Sequence, residues 1–204
     1  MLRHGSAEAG GGPMQRDFGT PVPKQSQQPH CPPYSHIHIP ARYGMATIVR
    51  RATAADDHAI SDLIRAGYRF IAGPDGITDE QLAGLLRAHT IDRAVEIRAL
   101  WECLVAEADG QVVGLIAYSE DEIQNLWVHP DFHRRGIGST LFGAAEAAIR
   151  EAGQSRMCVM TTGYGRPFYE AMGMKFVGKK EIDRGPMKGG KITVLEKMLE
   201  QRTR

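Results

Sequence analysis

Apolar and polar residues change their spacing near the middle of the chain, and this change predicts a strand followed by a helix. An apolar run from Ile123 to Val128 stops just before Pro130, which cannot donate a hydrogen bond to a sheet. After Gly136 the apolar residues recur at every fourth position, as they do on one face of a helix; they are Ile137, Leu141, Ala145 and Ile149. We therefore expect a strand that ends near residue 129 and a helix that begins at Gly136.

The same patterns predict seven strands and several helices along the rest of the domain. The order is one strand, two or three short helices, three strands, one helix, one strand, one helix and two strands. The predicted strands span 46–51, 100–108, 111–118, 122–128, 157–162, 175–182 and 191–198. Between the second and third strands, Asp109-Gly110 is a strong signal for a tight hairpin, because both turn residues need a positive φ. The pattern predicts a mixed α/β domain with one crossover helix near its centre.

Residues 1–44 differ in composition from the rest of the chain. They are rich in Gly, Pro, Gln and Ser and have no hydrophobic periodicity, so we interpret them as a disordered or loosely attached extension of a domain spanning 45–204. Met45 directly precedes the first predicted strand and is a candidate natural start. The extension contains His30, Cys31, His36 and His38, but their spacing lacks the close pairs typical of zinc sites. We expect no metal.

The amino-acid composition argues against some kinds of binding partner. A hydrophobic content of 42% is enough for a core, and a formal net charge of +1 gives no general attraction to nucleic acid or to an acidic membrane. No apolar run approaches the roughly 18 residues that span a bilayer. The three cysteines have no paired spacing, which favours a reducing compartment. The composition therefore predicts a cytoplasmic protein that binds neither nucleic acid nor membrane.

The joint between the central strand and helix carries the clearest chemical signal. Residues 133–138 read His-Arg-Arg-Gly-Ile-Gly. The N-terminus of a helix carries a partial positive charge, which repels basic side chains. Basic residues at this position therefore favour an anion between their side chains and the helix N-terminus, most naturally a phosphate. A dinucleotide fingerprint would need glycine at Leu141, and a P-loop would need lysine before the hydroxyl residue Ser139. The alternative is that the glycines only permit a tight turn.

This stretch resembles the pyrophosphate loop of the GNAT superfamily of acetyl-CoA-dependent N-acetyltransferases, whose pattern is Gln/Arg-x-x-Gly-x-Gly/Ala. The resemblance includes residues 125–130 before the loop. It also includes residues 166–176, which are similar to the family's Pro-Phe-Tyr-Glu-x-x-Gly-Phe stretch. The motifs occur in the family order between about residue 47 and the C-terminus. His133 stands where the family has Gln or Arg, Tyr164 near a frequent Asn, and Met174 at the final Phe.

The resemblance implies a fold and a cosubstrate site. The fold would be a central mixed sheet of about seven strands, splayed between the fourth and fifth strands and flanked by helices. Acetyl-CoA would lie in the splay, where backbone groups of the fourth strand pair with pantetheine and the following loop holds the pyrophosphate. The cofactor-binding residues that it implies are Leu126, Trp127, Val128, His133, Arg134, Arg135, Gly136, Ile137, Gly138, Ser139 and Tyr164.

The resemblance also implies two catalytic side chains. Glu122 occupies the position of the family's glutamate base, and the alternative is an exposed carboxylate at a strand end. Tyr169 matches the tyrosine that protonates the departing thiolate, and the alternative is an aromatic that packs beside Phe168. Cys158 lies within an apolar strand, where we expect a buried structural cysteine and not a nucleophile.

The function implied is transfer of an acetyl group from acetyl-CoA to a primary amine by direct attack. The acidic residues 120–122 would attract a cationic amine, but the sequence does not identify the acceptor, which is a small molecule or a protein amine. A homodimer is compatible with this function. The alternatives are a non-catalytic GNAT-fold module that binds acyl-CoA as a sensor or interaction partner, and an unrelated nucleotide-binding domain.

Overall fold

Eight strands form one sheet in the part of the chain that the computed structural model describes, residues 37–39 and 47–200. The strands are β1 (Ile37–Ile39), β2 (Thr47–Arg51), β3 (Glu102–Ala108), β4 (Gln111–Ser119), β5 (Glu122–Val128), β6 (Arg156–Thr161), β7 (Lys175–Glu181) and β8 (Lys191–Met198). The helices are α1 (Asp57–Ile71), α2 (Asp79–Ala88), α3 (Ile91–Leu100), α4 (Ile137–Glu151) and α5 (Arg166–Ala171). The spatial order of the strands is β1-β2-β3-β4-β5-β6-β8-β7.

The predicted mixed α/β architecture is confirmed, and the sheet has one strand more than predicted. The additional strand, β1, pairs antiparallel with β2 and falls within the segment that we interpreted as an extension. The proposed boundary at residues 44 and 45 lies outside the described residues. The predicted strand that was to begin at Leu100 begins instead at Glu102. Leu100 is the last residue of α3, because the Trp101 N–H donates to the Ile97 carbonyl and so completes the final helical turn.

The hairpin and the capping box that short sequence motifs predict are both present in the structure. The β3–β4 hairpin turns through Asp109 and Gly110, whose φ angles are 49° and 78°, as the Asp-Gly pair predicts. At the start of α2, the Thr78 side chain accepts from the Gln81 N–H and the Gln81 side chain accepts from the Thr78 N–H. This reciprocal capping box satisfies two N–H groups that would otherwise lack partners at the helix end.

The sheet separates two hydrophobic cores. One core lies between the sheet and α4; it includes Leu141 and Phe142 of the helix and Met157 and Leu195 of the strands. The other core lies on the opposite face, where Ile60 and the rest of the apolar face of α1 pack with α3 against the sheet. The strands between these cores are held from both sides, so their ends have well-defined positions.

The most consequential feature of the sheet is the pairing of β5 with β6. These neighbours are parallel, and their register contains only two residue pairs, Glu122 with Cys158 and Ile123 with Val159. Beyond these pairs β5 remains paired with β4 as far as Val128, and β6 remains paired with β8 as far as Thr161. The two strands therefore part towards their C-terminal ends, and the predicted splay between the fourth and fifth predicted strands is confirmed.

One face of β5 is fixed by a close approach of α1. A Cβ atom at Gly67 would overlap the Trp127 ring, so the missing side chain allows the indole to lie directly against the helix backbone. The Tyr68 ring lies 4.7 Å from the Trp127 ring, centroid to centroid, and adds a second contact. This packing holds the parted end of β5 against α1.

We predict that Gly67→Ala destabilises the protein by about 1–3 kcal/mol, because an added methyl overfills the contact with Trp127. Gly143→Ala is the matched control, since Gly143 lies in α4 with nothing within 4 Å of an added Cβ. The control should stabilise the protein by up to about 1 kcal/mol, because alanine is the better helix former. Urea unfolding measures both changes, and equal stability of the two variants would contradict the close packing of α1 on β5.

Candidate active site

The parted edge of β5 offers backbone groups to a ligand. One edge of the strand pairs with β4, but the opposite edge has no partner in the β6 register after Ile123. An extended molecule can pair with such an edge as an additional strand would. The three predicted contacts, Leu126, Trp127 and Val128, lie on this segment. Their side chains pack into the two cores. Backbone groups of successive strand residues point to opposite edges, and the His129 N–H donates to Val113 of β4, so Trp127 also faces β4, whereas the backbone groups of Leu126 and Val128 face the gap.

A β-bulge interrupts β5 just where the strands part. Ala117 pairs with Asn125 and Tyr118 pairs with Ile123, so Gln124 is an extra residue without an opposite partner on β4. A bulge turns backbone groups away from the regular ladder, and bulges are common beside functional sites. Sequence reasoning missed this bulge. Gln124 has no feature that distinguishes it from an ordinary strand residue.

The open end of the gap leads to the N-terminus of α4. Gly136 precedes the helix with a φ of 83°, a conformation that glycine adopts without strain, and no side chain caps the helix there. No acidic residue lies in the first turn. The first N–H groups of a helix lack intrahelical acceptors and carry the positive end of the macrodipole. The N–H groups of Ile137, Gly138 and Ser139 are therefore available to donate to an anion, and we call them the candidate anion site.

The basic residues before this helix have different surroundings. Arg134 is exposed and has a φ of 62°. Arg135 donates from Nη2 to the Asp131 carbonyl over 2.8 Å, and its guanidinium lies 4.8 Å from the centre of the Phe132 ring. The Arg135 side chain thus stiffens the turn, and Arg134 is the cation that extends towards solvent beside the candidate anion site.

His133, which stands where the family's loop has Gln or Arg, is hydrogen-bonded within the same turn. Its Nε2 lies 2.9 Å from the Val128 carbonyl oxygen, so this nitrogen carries a proton and donates to it. The imidazole also meets the Phe70 ring edge-on, with centroids 5.0 Å apart. The side chain therefore connects the end of β5 to α1 and positions the candidate anion site.

Gly138 brings the candidate anion site close to α5. A Cβ atom there would lie 3.3 Å from the Phe168 ring and 3.7 Å from a Val128 methyl, so a larger residue would press against both. The next residue in α5, Tyr169, is buried and packs in the core with Phe142. Burial raises the pKa of the Tyr169 hydroxyl above its usual value, so this phenol stays protonated and can donate a proton.

The loop between β6 and α5 is folded tightly around Tyr169. A Cβ atom at Gly165 would overlap the Thr161 hydroxyl and would lie 3.7 Å from the Tyr169 ring. The loop is also attached to the segment after α1, because the Tyr164 N–H donates to Asp75 Oδ1 over 2.7 Å. Tyr164, predicted to bind the cofactor, has a ring that is 43% exposed. Asp75 was missed, because Gly73-Pro74-Asp75-Gly76 has the composition of an ordinary turn.

Glu122 lies at the closed end of the gap, in the first of the two residue pairs between β5 and β6. Its side chain is half-buried, and this burial raises the pKa of the carboxyl above its usual value. The neighbouring Asp121 raises the pKa further, whereas a hydrogen bond with Gln124 lowers it. A carboxylate with a raised pKa is better matched to proton transfer near neutral pH than an exposed one.

The acidic residues at 120–122 do not form a common solvated turn. Asp121 is paired with Arg156 at 3.1 Å, and Arg156 also binds Glu196 at 2.8 Å. Glu120 takes a φ of 47° in the β4–β5 turn. Only Glu122 of the three enters the sheet, as the first residue of β5.

Cys158 differs from the prediction of a buried cysteine. It is only partly buried. Burial, and then the charge of nearby Glu122, raises the pKa of its thiol to about 12. A neutral thiol is a poor nucleophile, so its chemistry agrees with the expectation of a structural residue.

Comparison with known proteins identifies the family. A family model described as the acetyltransferase (GNAT) domain matches residues 99–175. An uncharacterized N-acetyltransferase of Chlorobaculum tepidum is 32% identical over 139 residues, which cover 66% of this chain and 79% of the relative. This chain belongs to the GNAT family of N-acetyltransferases. The acceptor of this GNAT enzyme is not identified by the comparison.

Solved structures share the fold of this GNAT enzyme. A GCN5-related N-acetyltransferase of Rhodopseudomonas palustris matches with a TM-score of 0.68 at 21% identity, covering 74% of this chain and 94% of the other. The PaiA N-acetyltransferase of Thermoplasma acidophilum, solved with coenzyme A, has a TM-score of 0.59 at 18% identity over 75% and 99% of the two chains. YncA of Salmonella typhimurium, solved with acetyl-CoA, has a TM-score of 0.56 at 18% identity over 78% and 96%.

Among the described residues, no helix is both long and apolar enough to cross a membrane. The same residues contain no group of three or more His, Cys, Asp or Glu side chains arranged to hold a metal ion. Of the predicted tail cluster, His30, Cys31 and His36 lie outside the described residues, and His38 is described only as part of strand β1.

Proposed function

We propose that this enzyme binds acetyl-CoA along the parted edge of β5 and transfers its acetyl group to a primary amine by direct attack. The observation that carries the proposal is the end of the β5–β6 register after two residue pairs, with the uncapped start of α4 at the open end of the gap. An extended chain with a pyrophosphate at one end matches both features. Relatives of the same fold were solved with coenzyme A and with acetyl-CoA.

The backbone supplies most of the proposed contacts with the cosubstrate. The amides of pantetheine would pair with the backbone of Leu126 and with the Val128 N–H, since the Val128 carbonyl already accepts from His133. The pyrophosphate would accept hydrogen bonds from the N–H groups of residues 137–139. Arg134 would add a positive charge at the solvent side. Backbone donors fit this role because a helix N-terminus presents several N–H groups that need no side chain to orient them.

The bulge at Gln124 is the proposed site of oxyanion stabilisation. Acetyl transfer places negative charge on the carbonyl oxygen as the amine attacks. A bulge changes the direction of the backbone groups beside it, and a backbone N–H that it directs into the gap would donate to this oxygen without reorganising. The thioester supplies a good leaving group, a thiolate.

Glu122 is the proposed general base. The attacking amine is protonated in water near neutral pH and must lose a proton before it can attack. The carboxylate of Glu122 would accept this proton, directly or through a water molecule. Because burial raises its pKa, the carboxylate form is lost at a higher pH than for an exposed glutamate.

Tyr169 is the proposed general acid. The departing thiolate needs a proton, and a buried phenol keeps its proton throughout the neutral range. The ring is held by Phe142 and Phe168 and by the close approach of Gly165, so the hydroxyl has a defined position. A cytoplasmic location and a homodimer stay predictions from the sequence and the family resemblance.

Turnover on a panel of amines separates an active enzyme from a non-catalytic module. We expect release of CoA with at least one cationic primary amine, detected with a thiol reagent and confirmed by mass spectrometry of the acetylated product. The panel should include polyamines, amino acids, amino sugars and a lysine peptide. Tight binding of acetyl-CoA without turnover on any amine would favour the module.

We predict that Glu122→Gln lowers kcat/KM by about 10²-fold or more, the usual contribution of a general base. In the native enzyme kcat/KM should rise with pH as Glu122 loses its proton, with a midpoint above that of an ordinary glutamate because its pKa is raised. This limb should disappear in the variant. A pH–rate profile with the best amine of the panel measures both effects, and an unchanged limb would remove Glu122 from the role.

Tyr169→Phe is the matched comparison for this profile. The variant keeps the buried ring and loses only the hydroxyl, so it should lower turnover at every pH while retaining the limb assigned to Glu122. The Kd for acetyl-CoA should change little in either variant, as calorimetry can show. Full turnover in Tyr169→Phe would leave Tyr169 with a packing role alone.

A further inference from the structure

Asp75 is held rigidly where the segment after α1 meets the loop between β6 and α5. Its own N–H donates to the Ile71 carbonyl over 2.9 Å, which extends the last turn of α1. Its Oδ1 accepts from the Tyr164 N–H over 2.7 Å. A Cβ atom at Gly163 would lie 3.2 Å from the same oxygen, so the carboxylate packs directly on the loop backbone. The position of this side chain is therefore set by two elements that border the gap.

The second oxygen of this carboxylate has no donor. Among the described residues, Asp75 Oδ2 is buried and has no hydrogen-bond partner. A buried carboxylate oxygen without a donor is unfavourable, and such atoms are rare in folded proteins. A ligand that brings a positively charged donor would remove this cost, because a charge-assisted hydrogen bond is stronger than a neutral one.

The surroundings of Asp75 also suit a cation. The rings of Phe70 and Tyr164 meet edge-to-face, with centroids 5.7 Å apart, and each is 43% exposed. Aromatic faces attract ammonium groups, so an exposed ring on the residue whose N–H binds the carboxylate can add to the binding of a cation. The same loop continues to Gly165, which packs against the ring of Tyr169. Asp75 therefore binds the residue directly before the one that contacts the proposed general acid.

The reacting nitrogen is not the best partner for this carboxylate. The attacking amine has to lose its proton, and a neighbouring carboxylate stabilises the protonated form. A second ammonium group of the same acceptor stays charged throughout the reaction. A carboxylate that holds this second group would orient the acceptor without opposing deprotonation of the first.

We propose that Asp75 binds a second, non-reacting ammonium group of the acceptor, and that the preferred acceptors are amines with two or more positive charges. The inference rests on the proposed function, since it assumes that the acceptor enters the gap between β5 and β6. Phe70 and Tyr164 complete the site as aromatic contacts, and Tyr164 contributes its backbone N–H to hold the carboxylate in place.

Matched pairs of ligands test this proposal. In 1,4-diaminobutane and 4-amino-1-butanol the reacting amine is the same, and only the far group changes from ammonium to hydroxyl; pairs one carbon shorter and one carbon longer allow for distance. We expect the CoA complex of the native protein to bind the better diamine at least about tenfold more tightly than its amino alcohol, as charge-assisted bonds allow. Calorimetry measures binding, and CoA release from acetyl-CoA measures turnover.

Asp75→Asn keeps an oxygen that can accept from the Tyr164 N–H and removes the charge. We expect this variant to lose most of the diamine preference, in binding and in kcat/KM, with an unchanged Kd for CoA. Glu151→Gln is the control, because it removes one negative charge at the exposed C-terminal end of α4. Tyr164→Leu keeps the backbone N–H and removes the aromatic ring, so it should weaken diamine binding about threefold. This variant tests the same site if Asp75→Asn does not fold stably.

The results of these experiments distinguish failure of the cation site from failure of the proposed transferase reaction. An unchanged diamine preference in Asp75→Asn would overturn the proposal. So would a loss of CoA affinity with the preference retained, because Asp75 would then serve the pantetheine arm. A native protein that binds diamines selectively but never turns them over would refute the proposed transferase reaction and leave the cation site standing. A native protein that does not distinguish diamines from amino alcohols would refute the cation site alone.

Discussion

The architecture of the site depends on two parallel strands that pair at their first residues and then separate. β5 and β6 share only the pairs Glu122–Cys158 and Ile123–Val159, although each continues as a full strand on its other side. Unpaired backbone groups inside a protein are unfavourable, so a gap of this kind persists only where the rest of the fold enforces it. Here β4 and α1 hold one strand, and β8 holds the other. The unsatisfied edge becomes a place where an extended ligand can complete the sheet.

The chemical groups are distributed along this gap according to their environments. Glu122 lies at the closed end, where partial burial raises the pKa of a carboxyl. Tyr169 lies within the core on the α4 side, where burial keeps a phenol protonated. The uncapped N-terminus of α4 lies at the open end and favours an anion. These three groups suit the three tasks of the reaction. The carboxyl with a raised pKa can deprotonate an amine, the neutral phenol can protonate a thiolate, and the start of α4 can hold a diphosphate.

The sequence predicts features that depend on neighbours along the chain. The strand and helix around residues 123–149, the Asp109-Gly110 hairpin and the capping box at Thr78 all follow from local patterns, and the structure confirms them. The two linked motifs also led to the correct family. These signals are strong because a single residue type, such as glycine at positive φ, is required at a particular position.

The features that the sequence did not predict depend on contacts between distant segments. The bulge at Gln124 is visible only in the register between β4 and β5. The bond between Asp75 and the Tyr164 N–H joins residues 89 positions apart. The close approach of Gly67 to Trp127 explains a glycine in the middle of α1 that reads, in the sequence alone, as a weak point of the helix. Such contacts are set by how the elements pack, and no local pattern encodes them.

Amide hydrogen exchange with and without CoA tests most directly whether the parted edge of β5 receives the cosubstrate. We predict that CoA slows exchange in residues 124–128 and in residues 137–139, whereas the outer strand β7 is unaffected. ATP, which has phosphates but no pantetheine, should protect the start of α4 without protecting β5. Equal protection of β5 by ATP, or an absence of protection in residues 124–128 at saturating CoA, would show that the pantetheine arm does not pair with β5.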